Sequence, residues 1–181
     1  MLKSKYLVIP FIISLFVALS ACSHTSPEFE IYEGKSLSIA VIGTSPLVKE
    51  SQVKFNEISF DELLNNNLMS YDAVLIMKEH LNQASESQYA DVYLNSGIPF
   101  FFLSAKAHIP FTSKDEKYSD FWGWSSGENY AAGVLISEEG DTLKSWGFGL
   151  YNDEKKEAHI QEMYSRIFKT VENSYNDKHK K

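Results

Sequence analysis

The chain is poor in cysteine, which limits how its fold can be held together. Its 181 residues contain one cysteine, at position 22. A lone cysteine cannot form an internal disulfide, so it must be free, paired between chains or modified. With 44% hydrophobic and 14% aromatic residues, the chain has the composition of a folded body rather than of a disordered stalk. Packing must therefore stabilise the fold.

The chain also lacks the motifs that mark common catalytic, nucleotide and metal sites. It contains neither G-x-G-x-x-G nor a Walker A motif, and neither H-E-x-x-H nor H-x-x-E-H. The stretch around Ser125 and Ser126 does not fit the G-x-S-x-G elbow of a serine hydrolase. The histidines are scattered, at positions 24, 80, 108, 159 and 179. We therefore predict no catalytic residues, no metal and no cofactor.

Basic residues are outnumbered, 17 against 24 acidic residues, for a net charge of −7. Nucleic-acid binding depends on Lys and Arg that neutralise phosphates, so nucleic acid is excluded as a partner. Spontaneous adhesion to anionic lipid headgroups is disfavoured for the same reason.

The first residues have the parts of a secretory signal peptide. Lys3 and Lys5 precede an apolar run from Tyr6 to Ala18 that only Pro10 and Ser14 interrupt. The run is too short for a transmembrane helix, which needs about 20 residues. We predict that residues 1–21 are a signal peptide. An uncleaved anchor is the alternative.

The boundary Leu19-Ser20-Ala21-Cys22 resembles the lipobox of bacterial lipoproteins. The resemblance implies that the Cys22 thiol carries a diacylglyceryl group, that the leader is cut before Cys22, and that the protein is anchored in the cell membrane on its extracytoplasmic face. Two acyl chains suffice for stable anchoring. In leader, size and composition the chain is similar to small lipoproteins of Bacillus-like Gram-positive bacteria. An ordinary secretory signal with a chance cysteine remains the alternative.

The mature chain divides into a tether, a body and a tail. Removing the leader with its two lysines takes the 17 basic residues to 15 against 24 acidic ones, a net charge of −9. We assign residues 22–36 to a lipidated polar tether, 37–175 to a single α/β domain and 176–181 to a disordered basic tail. The remaining 160 residues are enough for one core.

Strand and helix patterns alternate along the body. Apolar runs predict buried strands at 37–43, 71–77 and 98–103, with a weaker, peripheral strand at 53–58. Two capping boxes, Ser59 with Glu62 and Ser85 with Gln88, predict helix starts. Gly97 is expected to end the second of these helices. The stretches 130–137 and 142–151 predict a hairpin, and 153–171 predicts an amphipathic helix.

This alternation predicts a three-layer α/β domain of flavodoxin-like or Rossmann-like type. Its sheet is expected to be mostly parallel, with strand order near 2-1-3-4 and the antiparallel hairpin at one edge. The link from Gly43 to Val53 is short for a crossover helix, and we expect it to hold a single helical turn, at 46–50.

Ligands of such folds bind at the carboxyl ends of the strands. The candidate residues there are Thr44, Ser45, Glu79, His80 and Lys106. Thr44 and Ser45 could hold a phosphate with a helix N-terminus. The other interpretation is that all five are loop and capping residues. His80 and His108 follow neighbouring strands and could meet beside Glu79.

The stretch 118–130 is rich in aromatic residues although it is expected to be a loop. Trp122 and Trp124 could bind a sugar ring, a peptide or another protein. Alternatively, Phe121, Trp122 and Trp124 fold back onto the sheet.

Three functions compete. The first is a membrane-anchored, non-enzymatic accessory or interaction module of the cell envelope, with an envelope protein as its possible partner. The second is a small-ligand-binding lipoprotein that uses loop 118–130 and the strand ends. The third is an enzyme that uses Glu79, His80, Lys106 or His108.

Overall fold

A computed structural model describes residues 27–65, 68–137 and 142–178. The predicted signal peptide, Cys22 and the turn between the two hairpin strands lie outside the described residues, as do residues 179–181 of the predicted tail.

Six strands of the described residues form one mixed sheet. They are β1 (Leu37–Ile42), β2 (Val53–Glu57), β3 (Ala73–Ile76), β4 (Phe100–Leu103), β5 (Ala131–Ser137) and β6 (Thr142–Phe148). Their order is β2-β1-β3-β4-β5-β6. The first four strands are parallel, and β5 and β6 add an antiparallel hairpin beside β4. The α/β class, the order 2-1-3-4 and the hairpin at one edge are confirmed.

In the part of the chain that the structure describes, five α-helices accompany the sheet: α1 (Phe60–Asn65), α2 (Leu81–Ala84), α3 (Ser87–Asn95), α4 (Ile109–Thr112) and α5 (Glu157–Lys178). The capping box before α1 is confirmed: the Glu62 amide donates to Ser59 Oγ at 3.2 Å, and the Ser59 amide donates to Glu62 Oε2 at 2.8 Å. Gly97, which follows the C-cap residue Ser96 of α3, has φ 72°, as expected for a left-handed C′ position.

The second capping box is wrong. The helix starts at Ser87, and no side chain caps it. The Ser85 hydroxyl instead donates to the Asn82 carbonyl at 2.9 Å, because Ser85 terminates the preceding short helix, α2.

Alternating side chains of the parallel strands feed two hydrophobic cores, one on each face of the sheet. In β4, Phe101 and Leu103 enter the first core, and Phe100 and Phe102 enter the second. The apolar face of α5 covers the first core through Met163, Tyr164, Ile167, Phe168 and Val171. Helices α1 to α4 contribute to the second core. The amphipathic C-terminal helix is confirmed.

The link from β1 to β2 contains no helix, so the single turn expected at 46–50 is wrong. Right-handed crossovers place this link on the face opposite α1 and α3, because β2 lies on the other side of β1 from β3. Val48 of the link packs against the first core, beside α5. The long helix and the link together cover the face where a first crossover helix would otherwise lie.

The folded body begins earlier and ends later than the boundaries drawn from sequence. Tyr32, assigned to the tether, is only 1% exposed and packs against Phe168 at a ring distance of 6.0 Å. Phe29 contacts the rings of Tyr151 and His159 at 5.3 and 5.6 Å. At the other end α5 continues to Lys178, into the stretch assigned to the tail. We call residues 29–35 the strap, because they lie along α5.

Candidate functional site

The carboxyl ends of β1 and β3 meet at Gly43. This glycine has φ 115°, and a Cβ atom there would lie 2.8 Å from Glu79 Oε1 and 3.0 Å from His80 Cδ2. Only a residue without a side chain permits this approach. Two of the predicted site residues, Glu79 and His80, therefore lie together beside the end of β1.

An open cleft of about 450 Å³ begins at the same point. It lies between the ends of β1 and β2 and the start of α1. Its lining comprises Ile42, Gly43, Glu57, Ile58, Ser59, Phe60, Asp61, His80 and Gln83. Of the predicted site residues only His80 lines it. The carboxylates of Glu57 and Asp61 make the wall acidic.

Sequence reasoning missed Glu57 and Asp61 because it treated β2 as a peripheral strand and considered only the ends of the other strands. The signal was present, however. A parallel neighbour of β1 must end at the same edge of the sheet, and the capping box at Ser59 follows β2 directly.

Thr44 and Ser45 are not arranged as a phosphate cradle. The Ser45 amide already donates to Glu57 Oε1 at 2.8 Å, and this bond holds the pKa of the Glu57 carboxyl below its usual range. Thr44 is exposed. The helix N-terminus that the phosphate hypothesis required is absent from the link between β1 and β2. An anion there would have to displace Glu57.

The two histidines that follow strands have separate surroundings. The His80 ring lies 6.1 Å from the Phe60 ring, at the cleft. His108 Nδ1 lies 3.1 Å from Thr112 Oγ1, and burial lowers the pKa of this histidine, which favours its neutral form. Among the described residues no cluster of three or more His, Cys, Asp or Glu side chains could hold a metal ion.

The aromatic stretch 118–130 is joined to the chain that follows β4. Ser104 adopts φ 68°, after which the Lys106 amide donates to the Trp122 carbonyl at 2.9 Å. The Trp124 amide donates to the Ser104 carbonyl at 3.0 Å. These bonds hold the aromatic residues at the same sheet edge as Glu79 and His80.

Within this stretch some aromatic side chains pack inward and one faces solvent. Trp124 packs edge-on against Tyr130 at 5.6 Å, and its indole nitrogen is buried without a hydrogen-bond partner. Trp122 is half-buried, and Phe121 is 68% exposed. The Lys106 ammonium lies 4.1 Å above the Phe121 ring and 3.7 Å from Glu128. Lys106 thus packs over an exposed ring and pairs with Glu128.

The carboxylate of Glu50 is buried between the link from β1 to β2 and α5, and sequence reasoning did not find it. Glu50 is 3% exposed and accepts hydrogen bonds from the Tyr32 amide and the Ser165 hydroxyl. Its second oxygen has no hydrogen-bond partner in the protein. Glu50 joins the strap, the link between β1 and β2, and α5.

No family model matches the chain, and no curated protein or solved structure matches it significantly. Within residues 27–65, 68–137 and 142–178, no helix has both the length and the apolar character needed to cross a bilayer.

Proposed function

We propose that the chain is an extracytoplasmic lipoprotein, anchored in the cell membrane through Cys22, whose body acts as a non-enzymatic accessory or interaction module of the cell envelope. The observation that carries the proposal is the sequence Leu19-Ser20-Ala21-Cys22, which follows a positive and apolar leader. The first ring contacts of the folded body occur at Phe29, shortly after this cysteine. An anchor at Cys22 therefore leaves the packed strap and both cores intact.

We further infer a flavodoxin-like core for the parallel half of the sheet. The order 2-1-3-4 and the parallel direction of these strands support this fold. The hairpin β5–β6 then takes the place beside β4 where such a fold continues with a parallel strand.

The anchor is tested by growing cells that express the full chain with labelled palmitate. We expect label in the wild-type protein and recovery of the protein with membranes, since two acyl chains bind a bilayer stably. The Cys22→Ala variant, which lacks the thiol, is the control and should carry no label. Unprocessed, unlabelled wild-type protein in the soluble fraction would refute the proposal. Proteins that co-purify with wild type but not with the variant are candidate envelope partners.

The acidic cleft favours a second candidate function, the binding of a small ligand. Glu57, Asp61 and one imidazole, that of His80, line a volume of about 450 Å³. This lining suits a hydroxylated or cationic compound better than an anion. A thermal-shift screen with sugars, peptides and metal ions tests it. A hit should be lost in Asp61→Asn and retained in Glu116→Gln, an exposed residue away from the cleft, whereas a screen without any shift would eliminate this function.

A further inference from the structure

The strap enters the folded body at the sheet edge that carries the candidate site. Phe29 contacts Tyr151, which follows the end of β6, and His159, in the first turn of α5. At the other end of the strap, the Lys35 amide donates to Glu172 at 3.3 Å and its ammonium lies 3.1 Å above the Tyr175 ring. The strap therefore runs along α5 from the carboxyl edge of the sheet to its amino edge, where β1 begins.

The two most exposed large apolar side chains of the described residues, Leu47 and Phe121, lie at the same carboxyl edge. Leu47 is 90% exposed and Phe121 is 68% exposed. Leu47 follows β1, and its carbonyl accepts a hydrogen bond from Gln161 in the early turns of α5. Phe121 lies beside Lys106, which follows β4. Ile109 and Tyr151, 43% and 42% exposed, follow the ends of β4 and β6 at this edge.

The distance from the anchor restricts which edge can touch a membrane. The seven residue steps from Cys22 to Phe29 span at most about 25 Å when fully extended. A folded body of about 150 residues has a radius of gyration of about 15 Å and a diameter of about 38 Å. An anchor attached at the carboxyl edge cannot reach across the body, so the amino edge cannot rest on the bilayer that holds the anchor.

We propose that the carboxyl edge of the sheet docks on the membrane, with Leu47 and Phe121 inserted at the lipid headgroup level. The proposal rests on the anchor at Cys22. Exposed charges of both signs lie at this edge: Lys49 and Lys78 are basic, and Glu57 and Glu79 are acidic. Insertion of apolar side chains, rather than attraction to anionic lipid, therefore holds the edge in place.

The test attaches the anchor chemically, so that it does not depend on lipidation in cells. A chain beginning at Cys22 retains both cores, whose members lie between Tyr32 and Val171. Because Cys22 is the only cysteine, a maleimide lipid couples there alone, to vesicles of zwitterionic phosphatidylcholine with or without bromine on the acyl chains. A failed palmitate experiment refutes the natural anchor, whereas this experiment addresses only the orientation.

Two tryptophan variants report on the two edges. Leu47→Trp places a fluorophore at the carboxyl edge, and Met69→Trp places one near the start of β3, at the amino edge, where Met69 is 56% exposed. Compared with the parent protein, the added emission of Leu47→Trp should be blue-shifted and lose intensity on brominated vesicles, while that of Met69→Trp should be unchanged. Replacing Phe121 by Asp in the Leu47→Trp protein should reduce the quenching.

Two results would overturn the docking. If neither added tryptophan is quenched, the body stands away from the bilayer. If both are quenched equally, the body adheres without orientation. Circular dichroism of each variant before coupling verifies that the fold is intact, and the Phe121→Asp substitution lies at an exposed position where loss of folding is not expected.

Discussion

The Glu50 carboxylate accepts a hydrogen bond from the Ser165 hydroxyl, although 115 positions separate the two residues in the chain. Both side chains are at most 3% exposed. The bond connects the link between β1 and β2 to α5, at the place where a crossover helix would otherwise lie.

Replacing Glu50 by Ala should destabilise the protein by about 1–3 kcal/mol, because it leaves the buried Tyr32 amide without its acceptor and leaves the Ser165 hydroxyl only the Gln161 carbonyl of its own helix, 3.3 Å away. Glu50→Gln keeps one acceptor oxygen and should cost less. Urea denaturation of both variants measures the difference, with the exposed neighbour Lys49→Ala as the control. A Glu50→Ala protein as stable as the control would mean that the carboxylate does not hold these elements together.

The capping box at Ser59 predicts a defined pH dependence. Hydrogen bonds from the Ser59 amide and hydroxyl lower the pKa of Glu62 from its usual value of 4.5. A carboxyl whose pKa is lower in the folded state stabilises the protein above about pH 4.5, and this contribution is lost as the pH falls through the folded pKa. Glu62→Gln should therefore lose less stability on acidification than wild type does.

The measurement for this pH dependence is the free energy of unfolding as a function of pH, from neutral to below the Glu62 pKa. Glu116→Gln, the same chemical change in an exposed loop, is the control and should follow the wild-type curve. Parallel curves for wild type and Glu62→Gln would contradict the assignment.

Two phenylalanines near the aromatic stretch should differ sharply in their contribution to stability. Phe111 is 1% exposed and stacks on Phe102 at 3.8 Å, whereas Phe121 is 68% exposed. Phe111→Ala should cost about 3–5 kcal/mol through the cavity it leaves. Phe121→Ala should change stability by no more than about 0.5 kcal/mol. Chemical denaturation of both variants tests the pair, and a large loss in Phe121→Ala would show that this ring is packed.

Gly43 should not tolerate a side chain. Alanine there combines the unfavourable φ of 115° with contacts of 2.8 Å to Glu79 Oε1 and to Met77 Cβ. We expect Gly43→Ala to destabilise the protein by more than about 1 kcal/mol. Gly149→Ala is the matched control, because no heavy atom lies within 4 Å of the added carbon. Equal thermal midpoints for the two variants would show that the strand ends do not approach as described.

The features that were predictable from sequence are those encoded within a short window. The apolar runs of β1, β3 and β4 were recognised because strands buried on both faces need apolar residues at consecutive positions. The capping box at Ser59 succeeded since all of its partners lie within four residues. The same pattern at Ser85 failed because α2 ends there and the hydroxyl is already used. The capping-box pattern alone does not show whether a preceding helix already uses the serine hydroxyl.

The candidate site was only partly predictable, for a related reason. Glu79 and His80 were found because they directly follow a recognised strand. Glu57 and Asp61 were missed because β2 was treated as peripheral and its end was not considered, although the predicted strand order placed β2 beside β1. The cleft itself forms between the ends of β1 and β2 and the start of α1, and no local pattern encodes how these three segments pack.

The sequence by itself predicted the buried strands, the strand order, the amphipathic C-terminal helix and the leader with its lipobox resemblance. Periodicity, turn residues and short motifs act over a few neighbouring positions, and the alternation of strands and helices restricts the order of the strands. Only the tertiary structure decided that Glu50 is buried, that Trp124 packs while Phe121 is exposed, and that the strap lies along α5. Burial depends on which distant segments cover a residue, and that is settled only when the whole chain packs together.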